Sequence, residues 1–356
     1  MDKKRVLVAM SGGVDSAAAA LLLKRNGYDI AGVTMRLWNE TSFLNSSSID
    51  ELDENSIQAK EIADKLSFEH FSVDMSACFN ENVVASFINN YKSGKTPNPC
   101  VECNKKLKFG RLLEFTQEKG FDYLATGHYA RIEQSADGEF LLKKALDEKK
   151  DQSYFLWSLK KEALSKIILP LGEFTKPQIR EIARENGFSN ADRGDSQDIC
   201  FIPDGDYTSF LEKFGNAEFK KGSFIDLNGN ILGVHNGLER YTIGQRKGLG
   251  IALGKPMFVC EKNVTDNSVT LCDDDKLYKK ELRASQINIL VNNSLESETR
   301  LHAKIRYRHT PAMATVIRTS KDTLSVIFDE PQRAITKGQS LVLYDRDIVV
   351  GGGIIE

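Results

Sequence analysis

Apolar and polar positions follow two different rhythms along the chain. Up to about residue 130, short apolar runs at Val6 to Ala9, Ile30 to Leu37, Phe68 to Val73 and Tyr123 to Thr126 are separated by stretches of helical periodicity. This alternation predicts parallel strands with helices on both faces, an α/β domain. Thr41 to Asp50 is serine-rich with little periodicity and predicts a loop. After Arg131 the pattern predicts a hairpin around Asp137-Gly138, then helical segments near Glu162 to Ile168 and Pro177 to Glu185. Beyond Pro203 short β-rich runs are broken by Asn228-Gly229, Asn236-Gly237, Lys247-Gly248-Leu249-Gly250 and Leu253-Gly254-Lys255-Pro256. Turns at that spacing predict a small β domain. A last series, Arg300 to Tyr307, Ala312 to Arg318, Thr323 to Phe328 and Ser340 to Tyr344, predicts a terminal β barrel or sandwich. The expected order is an α/β parallel-sheet domain over 1–205, a small central β-rich domain over 206–280 and a β-barrel domain over 281–356.

The first strand opens directly into Met10-Ser11-Gly12-Gly13-Val14-Asp15-Ser16 and then the helix-like run Ala17 to Lys24. At a strand–turn–helix junction, free backbone N–H groups and the positive helix end converge on an anion above the turn. Gly12 and Gly13 let the main chain approach a phosphate without Cβ atoms, and Ser11 and Ser16 offer hydroxyls. Asp15 repels phosphate, so its carboxylate suits a magnesium ion held with the nucleotide. The turn lacks the lysine of the G-x-x-x-x-G-K-S/T nucleotide loop. Gly94-Lys95-Thr96 imitates the end of that motif, but Asn89 stands at its first glycine and a proline follows.

With 41% hydrophobic and 28% charged residues, composition is that of a globular chain, which argues against disorder and membrane classes. Lys3-Lys4-Arg5 precedes an apolar run as in a signal peptide, but Gly12, Gly13 and Asp15 interrupt it, so a cytosolic protein is expected. A net charge of -2 means that a nucleic-acid partner must be held by local basic patches. Lys105, Lys106, Lys108 and Arg111 form one, and Lys304, Arg306, Arg308 and His309 another.

Six cysteines in such a chain suit catalysis, metal binding or packing better than structural disulfides. Thr96-Pro97-Asn98-Pro99-Cys100-Val101-Glu102-Cys103-Asn104 sets a C-x-x-C pair at the start of a basic helix, where the thiolate is expected to be favoured. Cys200 lies in Asp195-Ser196-Gln197-Asp198-Ile199-Cys200-Phe201-Ile202. Cys78, Cys260 and Cys272 sit in helix- or strand-like contexts and are assigned to packing.

The turn Ser-Gly-Gly-Val-Asp-Ser resembles the PP-loop of ATP pyrophosphatases, which cleave ATP between the α and β phosphates. Together with the two cysteine runs, Thr126-Gly127-His128-Tyr129-Ala130-Arg131, Lys150-Asp151-Gln152-Ser153-Tyr154-Phe155-Leu156 and Tyr241 to Gly250, it is similar nearly end to end to the bacterial tRNA-specific 2-thiouridylase family. The resemblance implies adenylation of the C2 oxygen of a tRNA uridine, with ATP at Ala9, Met10, Ser11, Gly12, Gly13, Val14, Asp15, Ser16, Met35 and Gly127. It implies that Cys200 carries a persulfide and that Cys103 is the second thiol, which either liberates the sulfur from the persulfide or attacks Cys200, so that the cycle closes as a disulfide. Asn98, Pro99 and Cys100 match the segment that contacts the target base. Other members carry an acid where Cys100 stands, so that thiol is either part of the site or a redox bystander. His128, Lys150, Asp151, Gln152, Arg306, Tyr307 and Gln339 match tRNA-contacting positions, although a lone histidine after a strand is also a common core residue. A cysteine desulfurase or sulfur-relay protein is implied as donor, and tRNAs for lysine, glutamate and glutamine as acceptors.

Three rivals stay open at this point. A PP-loop ligase or amidotransferase would need no cysteine pair. Cys100, Cys103 and Cys200 could ligate an iron–sulfur cluster, or zinc with His128. An RNA-binding protein without catalysis would leave the PP-loop unexplained.

Overall fold

The computed structural model describes residues 3–37, 54–192, 194, 199–202, 204–215, 218–292, 294–295 and 297–356. The loop expected at Thr41 to Asp50 and the stretch Asp195 to Asp198 lie outside them. The chain forms two compact units. One comprises Met1–Val83, Cys100–Gln197 and Asp347–Val349, and the other Val84–Pro99, Asp198–Arg346 and Val350–Glu356.

The first unit is built on a parallel sheet of β1 (Arg5–Ala9), β2 (Asp29–Arg36), β3 (His70–Asp74), β4 (Tyr123–Ala125) and β7 (Ile167–Ile168), in the order β3-β2-β1-β4-β7. Every adjacent pair is parallel. The order reverses direction between β1 and β4. In a doubly wound sheet that switch point opens a crevice beyond the carboxyl ends of the two strands. The helix Val14–Arg25 lies in the core, with Ala17 to Ala20 fully buried, because only small side chains let it pack closely on both sides. One side meets Val6, Val8 and Met10, and the other meets Tyr129, Leu171 and Ile179. A hairpin of β5 (Ala130–Gln134) and β6 (Phe140–Lys144) follows β4 around the expected Asp137-Gly138 turn.

One expectation fails in this unit. The segment Glu162 to Ile168 is not an α-helix: Lys161–Lys166 is a 3₁₀ stretch, and Ile167 and Ile168 form β7, paired with Leu124 and Ala125. Two β-branched residues bury against the sheet edge better than they continue a helix.

The second unit contains two sheets. β8 (Gly222–Ile225), β9 (Ile231–His235), β10 (Phe258–Asn263) and β11 (Ser268–Cys272) order as β10-β11-β8-β9 around Phe224, Tyr241, Val259, Val269 and Leu271. The remaining strands are β12 (Tyr278–Ile289), β13 (Thr299–Lys304), β14 (Ala312–Arg318), β15 (Thr323–Arg333), β16 (Ser340–Asp345) and β17 (Ile348–Ile355). They run β12-β15-β14-β13-β16-β17, and β12 pairs back onto β17, which closes a six-stranded barrel. Closure depends on the glycines of β17. A Cβ at Gly351 would stand 2.3 Å from the Asn288 carbonyl oxygen, and one at Gly353 2.9 Å from that of Ser285.

Candidate functional site

The Ser11–Ser16 turn follows β1 and the Thr126-Gly127-His128 segment follows β4, so both stand at the switch point of the parallel sheet. The turn is held before any ligand arrives. Ser16 is buried, and its hydroxyl accepts from the Ser11 N–H at 3.2 Å and donates to the Gly13 carbonyl at 3.0 Å. Asn190 donates to the Gly12 carbonyl at 2.6 Å. Gly12 has φ 70°, and a Cβ there would meet the Asn55 carbonyl oxygen at 2.8 Å, so position 12 requires glycine twice over. Among the described residues no side chain caps the helix Val14–Arg25, which leaves its first N–H groups to an incoming anion. Gly127 closes the other wall: a Cβ there would lie 2.9 Å from the Asp15 carbonyl carbon and the Ser16 nitrogen. Met35 is half-buried near the carboxyl end of β2.

Asp15 stands in the first turn of that helix, with its side chain 33% exposed. The Lys176 ammonium contacts both its oxygens, at 2.8 and 2.7 Å, and the Tyr129 hydroxyl donates to Oδ1 at 2.8 Å. Lys176 opens the helix Lys176–Glu185, whose start is fixed by the Thr175–Gln178 capping box and Pro177. The Lys176 N–H also donates to the Asp147 carboxylate at 2.9 Å. Lys176 and Asn190 lie outside every motif named from the sequence, and Tyr129 stands in the Thr126 to Arg131 run without a role assigned to it there. The only local signal for Lys176 was the Thr-x-x-Gln helix start.

His128 is buried. Its Nδ1 pairs with the Thr126 hydroxyl at 2.7 Å, and its ring lies 5.7 Å from that of Phe109. Burial, and secondarily the charge of Lys108, push its pKa well below the ordinary histidine value, so the imidazole is neutral. Asp151 and Gln152 also make internal bonds: the Asp151 carboxylate accepts from Ala145 and from Ser153, and Gln152 accepts from the Tyr129 N–H. Lys150 is half-buried beside them in sequence.

Cys103 starts a π-helical stretch, Cys103–Arg111, that continues the short helix Pro99–Glu102. It is 7% exposed, and burial pushes its thiol pKa up, offset in part by Lys108. This corrects the expectation of a favoured thiolate. Helix position and nearby lysines are outweighed by loss of water. Cys100 is exposed. Asn104, which follows Cys103, is 2% exposed, donates to the Phe155 carbonyl at 3.1 Å, and its side-chain oxygen has no hydrogen-bond partner among the described residues.

In the second unit Cys200 is exposed on a turn closed by the Ile202 N–H to the Ile199 carbonyl at 2.8 Å. Phe201 anchors that turn, its ring 5.4 Å from Phe87 and 5.1 Å from Phe210. The segment leading to Asn98 and Pro99 is pinned to the barrel: the Thr96 N–H donates to the Lys337 carbonyl at 2.9 Å, and Gln339 donates to the Thr96 carbonyl at 2.9 Å. Arg306 donates to the Arg333 carbonyl at 2.9 Å, and Lys304 lies 5.4 Å over the Tyr307 ring. Among the described residues no three His, Cys, Asp or Glu side chains converge as metal ligands, and no helix is long and apolar enough to cross a membrane.

Three family models match in succession: a tRNA methyl transferase HUP domain over residues 4–204, a tRNA methyl transferase PRC-barrel domain over 208–273 and an aminomethyltransferase beta-barrel domain over 279–355. A tRNA-specific 2-thiouridylase MnmA of Clostridioides difficile is 47% identical over 99% of this chain and 98% of its own length. Proteins of the same name from Treponema denticola and Clostridium botulinum are 45% and 44% identical, over 99% and 100% of this chain and 98% and 99% of theirs. With that identity along both chains, the protein belongs to the tRNA-specific 2-thiouridylase family.

Proposed function

We propose that this chain is an ATP-dependent tRNA sulfurtransferase that replaces the C2 oxygen of the wobble uridine with sulfur. The observation that carries the reading is the meeting of the Ser11–Ser16 turn with Gly127 at the switch point of a parallel sheet, in a chain whose relatives are named tRNA-specific 2-thiouridylases. The C2 carbonyl is a poor electrophile because its oxygen would leave as oxide or hydroxide. Attack of that oxygen on the α-phosphate of ATP expels pyrophosphate and turns the oxygen into part of an AMP leaving group. The turn N–H groups and the helix end suit the phosphates. Magnesium bound with the nucleotide would neutralise phosphate charge, and Asp15 is the residue suited to hold it.

The terminal sulfur of a Cys200 persulfide then attacks C2, the C2–O bond breaks, and AMP departs with the oxygen. The base is now joined to Cys200 through a disulfide. The Cys103 thiolate attacks Sγ of Cys200, the bond to the base-bound sulfur breaks, and 2-thiouridine leaves with the electron pair. The resulting Cys103–Cys200 disulfide is reopened by a two-electron dithiol reductant. Asn98, Pro99 and Cys100 would meet the base, while His128, Lys150, Asp151, Gln152, Arg306, Tyr307 and Gln339 would hold the RNA. Tight internal bonding of several of these residues suits positioning through shape more than through free charge. A cysteine desulfurase or relay protein would load Cys200, and lysine, glutamate and glutamine tRNAs would be the acceptors.

The test is mass spectrometry of tRNA nucleosides after incubation with ATP, magnesium, a cysteine desulfurase with cysteine to supply persulfide sulfur, and a dithiol reductant. 2-Thiouridine should form with this chain and vanish with Cys200→Ser. AMP release without any sulfur in the RNA would overturn the reading.

A further inference from the structure

The glycine turn carries no lysine of its own, yet a lysine from 161 residues away in sequence ends on it. The Lys176 side chain is only 8% exposed, and its ammonium spans both oxygens of Asp15 while Tyr129 donates to one of them. The carboxylate expected to hold a divalent cation is thus already neutralised. Its backbone pivot is fixed by the capping box and by Asp147, but the four-carbon stem beyond it can swing.

Charge bookkeeping gives the consequence. Asp15 and Lys176 sum to zero, so a bare divalent cation entering here meets a positive neighbour and no net negative charge. A metal–nucleotide complex brings its own negative phosphates, which can take the ammonium as the carboxylate is vacated. We infer that Lys176 is a placeholder cation for Asp15, giving the carboxylate up to a divalent metal only when nucleotide phosphates are present to receive the ammonium. The pairing thereby orders binding: metal enters with nucleotide and not before it. This rests on reading the Ser11–Ser16 turn as the nucleotide site.

Manganese(II) is the probe, followed by electron paramagnetic resonance on the full chain without tRNA. The native protein should take up no manganese at this site alone and one ion when α,β-methylene-ATP is added. Lys176→Met should bind manganese without nucleotide about tenfold more tightly or better, since removing one unit charge at close range is worth at least that factor. The gain should be absent in Lys176→Arg and abolished by adding Asp15→Asn. Lys176→Gln serves as a second neutral variant if the methionine protein does not fold. Equal nucleotide-free affinities in the native and neutral variants overturn the inference. So does native binding of manganese alone that Asp15→Asn removes. No manganese uptake even with the analogue would instead overturn the nucleotide site itself, and the placeholder with it.

Discussion

Replacing Gly127 by alanine adds a single methyl group at the switch point. The nearest atoms to the new Cβ are the Asp15 carbonyl carbon and the Ser16 nitrogen at 2.9 Å, and then the Asp15 Cβ at 3.1 Å. Two of the three are main chain, so no flexible side chain can swing clear. Ordinary contact begins near 3.4 Å, so the end of β4 and the start of the helix Val14–Arg25 must part by about half an ångström. Gly127 is not in the left-handed region, so alanine adds no backbone strain and the effect is contact alone. Over-packing of this kind costs about 1–3 kcal/mol, which for a unit of this size lowers the melting temperature by roughly 2–10 °C. The moved atoms belong to the turn that would hold phosphate. A misplacement on the order of 1 Å can cost about 100-fold in rate, so half of that should lower kcat/KM for ATP-dependent AMP formation by about tenfold. Thermal melting and chromatographic AMP release on tRNA measure both. A Gly127→Ala protein that melts and releases AMP as the native chain does would refute the close approach of these two segments and their joint role.

Cys200 is exposed, whereas burial holds the Cys103 thiol above its ordinary range, so iodoacetamide should modify Cys200 before Cys103. The Cys103 rate should still be climbing above about pH 9, and a plateau below that value would contradict its burial. His128 has a folded pKa well below its unfolded value, because burial first and Lys108 second disfavour the cation. The folded state therefore binds fewer protons, and its stability, full above about pH 6.5, is lost as pH falls below that value. Urea titrations at pH 8 and pH 5 should show the drop, with a smaller drop in His128→Asn. The Lys262 nitrogen is buried with no hydrogen-bond partner among the described residues, and desolvation lowers its pKa to about 8 against a weaker opposing pull from Glu239. Lys262→Met should raise the stability of the second unit at pH 7 by about 1–3 kcal/mol, and a loss of stability on denaturant unfolding would count against an orphaned ammonium.

Where periodicity is strong the chain announces its elements. β1, β2 and β4 lie where apolar runs place them, and the helix expected near Pro177 to Glu185 spans Lys176–Glu185. The failures share a cause. Ile167 and Ile168 follow helix-compatible residues and become a strand only because β4 offers an open edge. β17 contains Gly351-Gly352-Gly353, which by local chemistry signals a turn. It is a strand because the backbone of β12 comes so near that no side chain fits. Both decisions belong to pairing partners far along the chain, which a window of neighbouring residues does not contain.

The candidate site divides along the same line. In a doubly wound sheet a ligand meets whatever follows the strands flanking the reversal, here β1 and β4, and these segments are the ones a motif can spell out. Lys176 arrives from neither. It comes from the first residue of a helix that packs on Val14–Arg25, and only that packing turns an ordinary surface-type residue into the counter-ion of Asp15. His128 and Cys103 show the converse, residues whose motifs are plain but whose protonation is set by burial. Identity is local and charge state is not, because desolvation sums over every element packed around a group. A motif can therefore say which atoms stand near the reaction, whereas the proton each one carries, and the cation each one holds in the meantime, follow from the fold.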